Sequence, residues 1–348
     1  MSDINILDTY SKDYLTKELV SRTSNLTFQN YLGILPNLNN IVSNRADISQ
    51  TFAELQADPH IHSCVQSRKS GVLSKKWQLI GNQSSYEYQF VANHLQSLDL
   101  HNLFSNILDA MLTGYQVLEI IWDEDQNGNY FVNKIESKPI EWFFYDYNNE
   151  VKYRSKSNPK GISLPENKFL IPRNNPTYKN PYGEALLSKC YWSLTIKSIA
   201  YRFWINFLEK YGMPLIIGQY TYPPTPEELA NLSIRLNELV NSQTIATPPD
   251  ITIDIKDIGQ SKSVDLYLQL IKLANAEISK ALLSETLTTE LDSGSYAASI
   301  THFQVRNEVI LGDVKLLEQT INQLINYIGK VNNFDLFNLP KFEFIQNE

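Results

Sequence analysis

The residues best suited to bind a metal ion are two histidines and a cysteine at alternating positions, His60, His62 and Cys64. In a β-strand these three side chains would all point to one side and could share an ion. Asp58 and Pro59, which precede them, are instead typical of a helix start, with Asp58 as the cap and Pro59 at the first helical position. Side chains at this spacing do not converge in a helix, so the sequence favours a helix without a metal site.

A second group of metal-ligand residue types lies further along the chain. Asp123, Asp125 and Asn127 copy the first half of an EF-hand calcium loop, but the position of its bidentate Glu is taken by Lys134. β-Branched and aromatic runs flank an Asn-Gly pair here, which predicts a β-hairpin. The carboxylates, together with Glu119, leave a metal-dependent nuclease open as an alternative. Because Asp and Asn are also good turn residues, a solvated turn without calcium is favoured.

The sequence carries none of the common catalytic motifs. It has no GxxxxGK[ST] phosphate-binding loop, no GxGxxG after a strand, no HExxH, no GxSxG and no Cys-x-x-Cys pair. We therefore predict a structural protein that is not an enzyme and needs no cofactor.

Composition and charge narrow the class of protein further. The chain has 348 residues, a formal net charge of −8 and a pI of about 5.3. An acidic chain is not typical of a free-standing protein that wraps or reads DNA. Two distant cysteines, Cys64 and Cys190, indicate a reducing compartment without a disulfide framework. The N-terminus lacks the pattern of a secretory signal, which predicts folding and assembly in the cytoplasm.

The predicted elements are mostly helices, with short β segments between them. Hydrophobic periodicity and turn signals indicate an α+β, mainly helical fold. A chain of this length is expected to form two or three subdomains. Residues 1–47 are polar and rich in Asn, and we predict an irregular arm there.

One predicted helix is distinguished by its length and its apolar surface. No Pro or Gly interrupts Glu184–Tyr211, and its Lys and Arg residues exclude a membrane span. Its large apolar residues are Leu186, Cys190, Leu194, Tyr201, Trp204 and Leu208 on one stripe, with Trp192, Ile196, Phe203 and Phe207 elsewhere. A helix that is apolar on several sides is buried on several sides. It is therefore either the central helix of one large core or a strut packed against copies of itself in neighbouring subunits.

Several segments, in a fixed order, resemble the portal proteins of Mu-type tailed phages. They are DPHIHSCVQSRKSGVLSKKWQLIG, GYQVLEIIW, KPIEWFFYD, LPENKFLI, NPYGEALLSKCYWSLTIKSIAYRFWINFLEKYGMPLIIG and EISKALLSETLTTELDSGSYAASITHFQVRNEVI, followed by Asp313. Together they cover Ile48–Asn332, which is most of the chain. No single segment is specific for the family, but the ordered set is.

The resemblance implies a portal-type architecture, with long stem and channel helices, an α/β wing and a small β-rich clip. It implies a closed ring of about twelve copies at one capsid vertex, with double-stranded DNA passing through it without sequence-specific contacts. The implied partners are further copies of the chain, the terminase large subunit, the major capsid protein and a head–tail adaptor, with no membrane. The implied location is the virion, and the host cytoplasm during assembly.

The resemblance and the sequence patterns together divide the chain into regions. These are 1–47 (N-terminal arm), 48–138 (wing helices and β-hairpin), 139–180 (clip-like β-rich module), 181–212 (stem helix), 213–263 (strand, helix and tunnel loop), 264–332 (long helices on the channel and crown side) and 333–348 (C-terminal tail).

Candidate site residues follow from these positions. Ser242–Ser263 corresponds to the channel-facing loop of portals, and its candidate DNA-facing residues are Gln243, Lys256, Gln260, Ser261 and Lys262. The candidates for docking a motor or an adaptor are Tyr145, Lys152, Tyr153 and Arg154. The candidates for packing between subunits are Trp192, Phe203, Trp204 and Phe207. In a ring, one Lys that faces the channel is repeated in every copy and forms a belt of positive charge. The alternative is that Lys256 and Lys262 lie on ordinary solvated surface.

Two further classes of protein stay open at this point. One is another head–tail or scaffold component, which would form rings or sheets without a hole wide enough for DNA. The other is a metal-dependent enzyme, which would rest on the hairpin carboxylates and on His60 and His62.

Overall fold

The structure is a computed structural model that describes residues 48–155, 157–211, 215–239, 249–256, 262–286 and 296–345. The described residues form two compact units. The first contains those up to Tyr191 and those from Ser279 onward, and the second runs from Trp192 to Ile278. Predicted positions outside the described residues include the N-terminal arm and the candidates Gln243, Gln260 and Ser261.

The described elements alternate between helices and short strands. In chain order they are α1 (Ile48–Gln56), α2 (Pro59–Leu73), β1 (Trp77–Ile80), α3 (Tyr86–Ser97), α4 (Leu100–Thr113), β2 (Val117–Glu124), β3 (Tyr130–Lys138), β4 (Phe143–Tyr145), β5 (Val151–Tyr153), β6 (Ile162–Ser163), β7 (Phe169–Leu170), α5 (Leu186–Tyr211), β8 (Leu215–Tyr220), α6 (Pro226–Leu239), β9 (Ile251–Lys256), α7 (Lys262–Leu283), α8 (Tyr296–Val331) and β10 (Lys341–Phe344). The predicted α+β, mainly helical fold is confirmed.

The core of the first unit forms around the apolar stripe of α8. Its buried residues recur at helical spacing and are Ile310, Val314, Leu317, Ile321, Leu324 and Ile328. This stripe packs against α2, α3 and α4, whose own buried residues include Ile61, Val72, Ile107 and Met111. The long C-terminal helix thus supplies the surface on which the N-terminal helices assemble.

The predicted hairpin is confirmed, but its sheet has a third strand that the sequence assigned elsewhere. Strands β2 and β3 pair antiparallel, with a register shift between Ile121 and Trp122. Strand β7 pairs with β2, so that Leu118 faces Leu170. Strands β4, β5 and β6 form a separate sheet. The region 139–180, which was predicted as a β-rich module, thus contributes its strand β7 to the hairpin sheet.

The second unit contains a small β-α-β module. Strands β8 and β9 pair antiparallel over their full lengths, from Leu215 opposite Lys256 to Tyr220 opposite Ile251. Helix α6 packs on this pair where Gly218 lies close to the side chains of Leu232 and Leu236. Strand β9 lies inside the segment Ser242–Ser263 that was predicted to hold the channel-facing loop, and residues 251–254 alternate between half-buried and exposed positions.

The C-terminal segment also pairs where the sequence predicted only an extended tail. Strand β10 lies antiparallel to β1, with Trp77 opposite Phe344. Its other edge is held by Asn322 of α8, whose amide accepts the N–H of Phe342 at 2.8 Å and donates to the same residue's carbonyl at 2.9 Å. Both backbone groups of a fully buried residue are satisfied in this way.

Candidate functional site

Helix α5 exposes a stripe of large apolar side chains in the second unit. Trp192, Ile196, Ile199 and Phe203 follow i, i+4, i+7 and i+11 spacing, and their exposed fractions are 66%, 44%, 47% and 56%. Residues three and four apart share one face of a helix. Contiguous exposed apolar patches are unusual on soluble monomers and are typical of interaction surfaces. We call these four residues the α5 stripe.

The four predicted packing residues fall into two pairs. Trp192 and Phe203 belong to the exposed α5 stripe, whereas Trp204 and Phe207 are half-buried within the second unit. The ring of Phe207 lies 6.1 Å from that of Tyr267 on α7. Phe207 therefore packs within the unit, whereas more than half of the surface of Trp192 and of Phe203 is exposed.

Helix α7 also carries an exposed apolar stripe. Leu266, Leu270 and Leu273 are spaced i, i+4 and i+7, with 64%, 39% and 57% of their surfaces exposed. The buried face of the same helix is made by other positions, among them Ile271 and Ala274. The signal was present in the sequence, since α7 has apolar residues on two faces and needs only one to pack on its own unit.

Helix α6 begins with a capping box. The N–H of Thr225 donates to the Glu228 carboxylate at 2.7 Å, and the N–H of Glu228 donates to the Thr225 hydroxyl at 3.3 Å. Tyr222 also donates its hydroxyl proton to this carboxylate, at 2.9 Å. The bonds from Thr225, and then the bond from Tyr222, hold the pKa of Glu228 below its ordinary value of 4.5.

One predicted docking residue is excluded by its burial. Tyr145 is only 1% exposed and packs edge-on against Tyr115 and Tyr182, so its side chain cannot meet a partner. Burial raises its pKa well above the usual value. The prediction for Tyr145 is corrected: it belongs to an internal aromatic cluster with Tyr115 and Tyr182, and a run of consecutive aromatic residues does not show which of them face solvent.

The other three docking candidates lie on or beside β5. Lys152 bonds to the buried Asp146 carboxylate at 2.7 Å, and Arg154 lies over the ring of Phe144 at 4.7 Å. Tyr153 is half-buried, whereas Arg154 is exposed. Arg154 is thus the most accessible of the candidates. The ammonium group of Lys152 is already paired with the carboxylate of Asp146.

The candidate DNA-facing residues are only partly described. Lys256 is the last residue of β9, and Lys262 is the first residue of α7. The pairing of Lys256 with Leu215 places it at one end of the β8–β9 ribbon. The other three candidates lie outside the described residues.

The first metal candidates occupy a helix, where they contact other partners. His60 and Cys64 lie on α2 and approach Ser279 of α7, with the His60 Nε2 atom 2.7 Å and the Cys64 Sγ atom 3.8 Å from the Ser279 hydroxyl. His62 is exposed on a different side of the helix. The predicted helix is confirmed, with its Asp58 cap bonded to the N–H groups of His60 and Ile61 at 3.0 Å.

The carboxylate of Asp125 organises the hairpin turn. Its Oδ1 atom accepts the N–H groups of Asn127 and Asn129, both at 2.8 Å. These bonds, the one from Asn129 first, lower the pKa of Asp125. Within the described residues, no group of three His, Cys, Asp or Glu side chains is arranged to hold a metal ion. No helix in that part of the chain is long and apolar enough to cross a membrane.

Both cysteines are buried, and neither forms a disulfide bond. Burial, and secondarily the neighbouring Cys64, raises the pKa of the Cys190 thiol to about 12. A thiol with such a high pKa is a packing group rather than a nucleophile.

The described fold contains long helices with exposed apolar faces, and sequence comparison identifies the family of the chain. A family model described as the portal protein of Mu bacteriophage matches residues 49–348. The chain belongs to this family. The resemblance found in the ordered segments is therefore confirmed.

Individual relatives agree with this assignment. The chain is 25% identical over 316 residues to the portal protein of Escherichia phage Mu, covering 87% of this chain and 61% of that protein. It is 24% identical over 317 residues to the Mu-like prophage FluMu protein gp29 of Haemophilus influenzae, covering 86% and 60%. The chain thus spans about three fifths of the length of these curated relatives.

A solved structure shares the fold at low sequence identity. A chain from the neck of a native gene transfer agent particle, computed with C12 symmetry, matches with a TM-score of 0.59 and 12% identity, over 85% of this chain and 84% of that one. At this identity the likeness speaks for the fold alone.

Proposed function

We propose that this chain is a portal subunit, which assembles with its own copies into a ring around a channel for double-stranded DNA at one vertex of a phage capsid. The observation that carries the proposal is the exposed α5 stripe, in a chain that belongs to the Mu portal family. In a ring, each subunit presents one surface to its left neighbour and a different surface to its right neighbour. The α5 stripe and the α7 leucines are two such surfaces.

The number of copies in this proposal is about twelve. Its support is the C12 symmetry stated for the particle neck that contains the similar chain, together with the general rule that a heterologous interface closes into a ring of fixed size. The role is structural and involves no catalysis. The proposed partners are the terminase large subunit, the major capsid protein and a head–tail adaptor, and the location is the virion after assembly in the host cytoplasm.

The second unit supports a revised placement of the stem and the clip. Helices α5 and α7 flank the β8–α6–β9 module in the chain, and this module forms one compact unit with the parts of the two helices between Trp192 and Ile278. We place the clip in this module and the stem in its two flanking helices. Residues 139–180 then belong to the wing, where Tyr153 and Arg154 remain candidates for contact with a partner.

The DNA-facing role is proposed for Gln243, Lys256, Gln260, Ser261 and Lys262. Support comes from the sequence position of these residues between the clip-like module and α7, and from ring symmetry, which repeats each lumenal charge in every copy. The net charge of −8 weakens any grip on phosphates, because tight binding needs many cation–phosphate contacts. Such a channel would let DNA slide.

The experiment that tests the proposal is negative-stain electron microscopy of the purified protein, with a mass measurement on the same sample. We expect closed rings of about twelve copies with a central hole wide enough for duplex DNA. A compact dimer with stoichiometric metal would contradict the proposal and support the metal-dependent enzyme. Sheets, or rings without a hole, would indicate another head–tail or scaffold component.

A further inference from the structure

One face of α2 holds the last turn of α7. His60, Cys64 and Arg68 are spaced i, i+4 and i+8, so they share this face. His60 and Cys64 both approach the hydroxyl of Ser279, which is fully buried. Arg68 donates from Nη1 to the carbonyl oxygen of Leu282 at 2.6 Å. All of these residues lie in the first unit.

Arg68 binds a third helix at the same time. Its Nε atom donates to Oδ2 of Asp313 on α8 at 2.6 Å, and its Nη2 atom donates to Oδ1 at 2.8 Å. Only 10% of the Arg68 side chain and 4% of the Asp313 side chain are exposed. A single guanidinium therefore joins α2, the end of α7 and the middle of α8.

The chemistry of the Arg68 guanidinium is better suited to fixing the positions of its partners than to raising the stability of the fold. A guanidinium is a planar fork with fixed donor directions, which matches a carboxylate at two points. The carbonyl groups in the last turn of a helix have no partner within the helix, and Arg68 supplies one for Leu282. A buried ion pair, by contrast, often adds little stability over an apolar pair of the same volume, because both charges must be desolvated.

We propose that Arg68 is a positioning residue that sets the end of α7 relative to α8. Asp313 orients the guanidinium, and His60 and Cys64 hold Ser279 one turn earlier. The end of α7 is where the chain leaves the helix, through Ser284 with a positive φ of 59°. Of the two helices that meet at this point, α7 is a stem helix of the proposed portal, and α8 lies in the region predicted for the channel and crown side. The positioning itself does not depend on that function.

The neighbouring ion pair of α2 provides a matched control. Lys69 bonds to Asp109 of α4 at 2.7 Å and to the carbonyl of Ser105 at 3.0 Å, and its side chain is also 10% exposed. It sits next to Arg68 in the chain but faces α4 instead of α7. Replacing Lys69 removes a similar buried charge from the same helix without touching α7 or α8.

The test is hydrogen exchange of the purified protein, read on the backbone amides of residues 279–283. R68Q and K69Q are both expected to lower Tm, since each leaves a carboxylate without its partner. At denaturant concentrations that equalise their stability, we expect R68Q to speed exchange in 279–283 by about tenfold or more, and K69Q to leave it near the wild-type rate. Equal exchange in the two variants would overturn the proposal.

A third variant separates positioning from stability. R68M/D313L replaces the ion pair with apolar groups of similar volume, and its Tm is expected to return close to the wild-type value. The carbonyl of Leu282 still lacks its donor, so we expect exchange in 279–283 to stay fast. If exchange returned to the wild-type rate along with Tm, Arg68 would have a stabilising role only, and the proposal would fail. Neither result depends on whether rings form.

Discussion

Replacing Trp192 and Phe203 with Ser tests the role of the α5 stripe directly. Aromatic side chains of this size bury about 150–250 Å². With 66% and 56% of their surfaces exposed, the two side chains together present roughly 250 Å² of apolar surface. If a neighbouring copy covers half of it, the contact contributes about 3 kcal/mol at about 25 cal/mol per Å². Its loss weakens each pairwise contact by about 100-fold.

The assay is the mass distribution of the purified double variant, measured over a range of protein concentrations. We expect rings to be lost or to need much higher concentrations, while Tm stays near the wild-type value, because exposed positions contribute little to the stability of the subunit itself. Circular dichroism confirms that the subunit is folded. A fall in Tm with no change in assembly at permissive temperature would show that the two residues serve the fold of one subunit.

The matched control is a double substitution on a different side of α5. R202S/E209S also changes two exposed side chains at helical spacing, but both are charged and lie off the stripe. We expect this variant to assemble as the wild type does. If W192S/F203S and R202S/E209S gave the same mass distribution as the unmodified protein, the α5 stripe would not be a subunit interface, and the reasoning above would be refuted.

Three further changes test other parts of the molecule. E228A removes the capping box of α6. The pKa of the Glu228 carboxylate is lowered in the folded protein, so the ionised carboxylate stabilises the fold at pH 7. This stabilisation disappears as the pH falls below about 4.5. The Tm gap between wild type and variant should therefore close in acid. N322A leaves both backbone groups of the buried Phe342 without their partner, which is expected to cost about 2–4 kcal/mol in urea unfolding. K256E/K262E is expected to assemble normally but to package or retain less DNA, since it reverses, in every copy, two charges that the proposal places at the channel.

Each of these predictions has an outcome that would contradict it. For E228A, a Tm gap that persisted unchanged to pH 3 would mean that the carboxylate charge is not involved. For N322A, the control is Q323A, which removes an exposed bond to a tyrosine hydroxyl and should cost little. Equal losses of unfolding free energy in N322A and Q323A would contradict the conclusion that Asn322 stabilises the edge of β10. Normal genome filling by K256E/K262E would remove both lysines from the channel.

Local features of the fold follow from short stretches of sequence. Asp58-Pro59 predicts the start of α2, Thr225 with Glu228 predicts the start of α6, and the Asn-Gly pair predicts the hairpin turn. Each depends on hydrogen bonds between residues a few positions apart, so no other part of the chain is needed to specify it. The family can also be recognised from the sequence alone, because its characteristic segments occur in a fixed order along the chain.

Burial and pairing, by contrast, were decided only by the tertiary structure. The β-type pattern around Tyr145 indicates strands, but only the packing of Tyr115 and Tyr182 shows that this tyrosine is enclosed. The sequence likewise shows that β7 and β10 are extended without showing their partners. Pairing depends on residues far away in the chain, which a local pattern does not contain.

The apolar residues of α5 and the polar residues of α2 also show which properties follow from the sequence and which follow only from the tertiary structure. The sequence by itself determined that α5 is long and apolar on several sides, and that Asp58 and Pro59 begin a helix containing His60 and Cys64. Only the tertiary structure decided which apolar side packs on its own unit and which remains exposed, and that Arg68 meets Asp313 across 245 positions of the chain. The physical reason is that amphipathicity is a property of one helix, whereas burial and ion pairing require a second surface whose identity only the folded chain supplies.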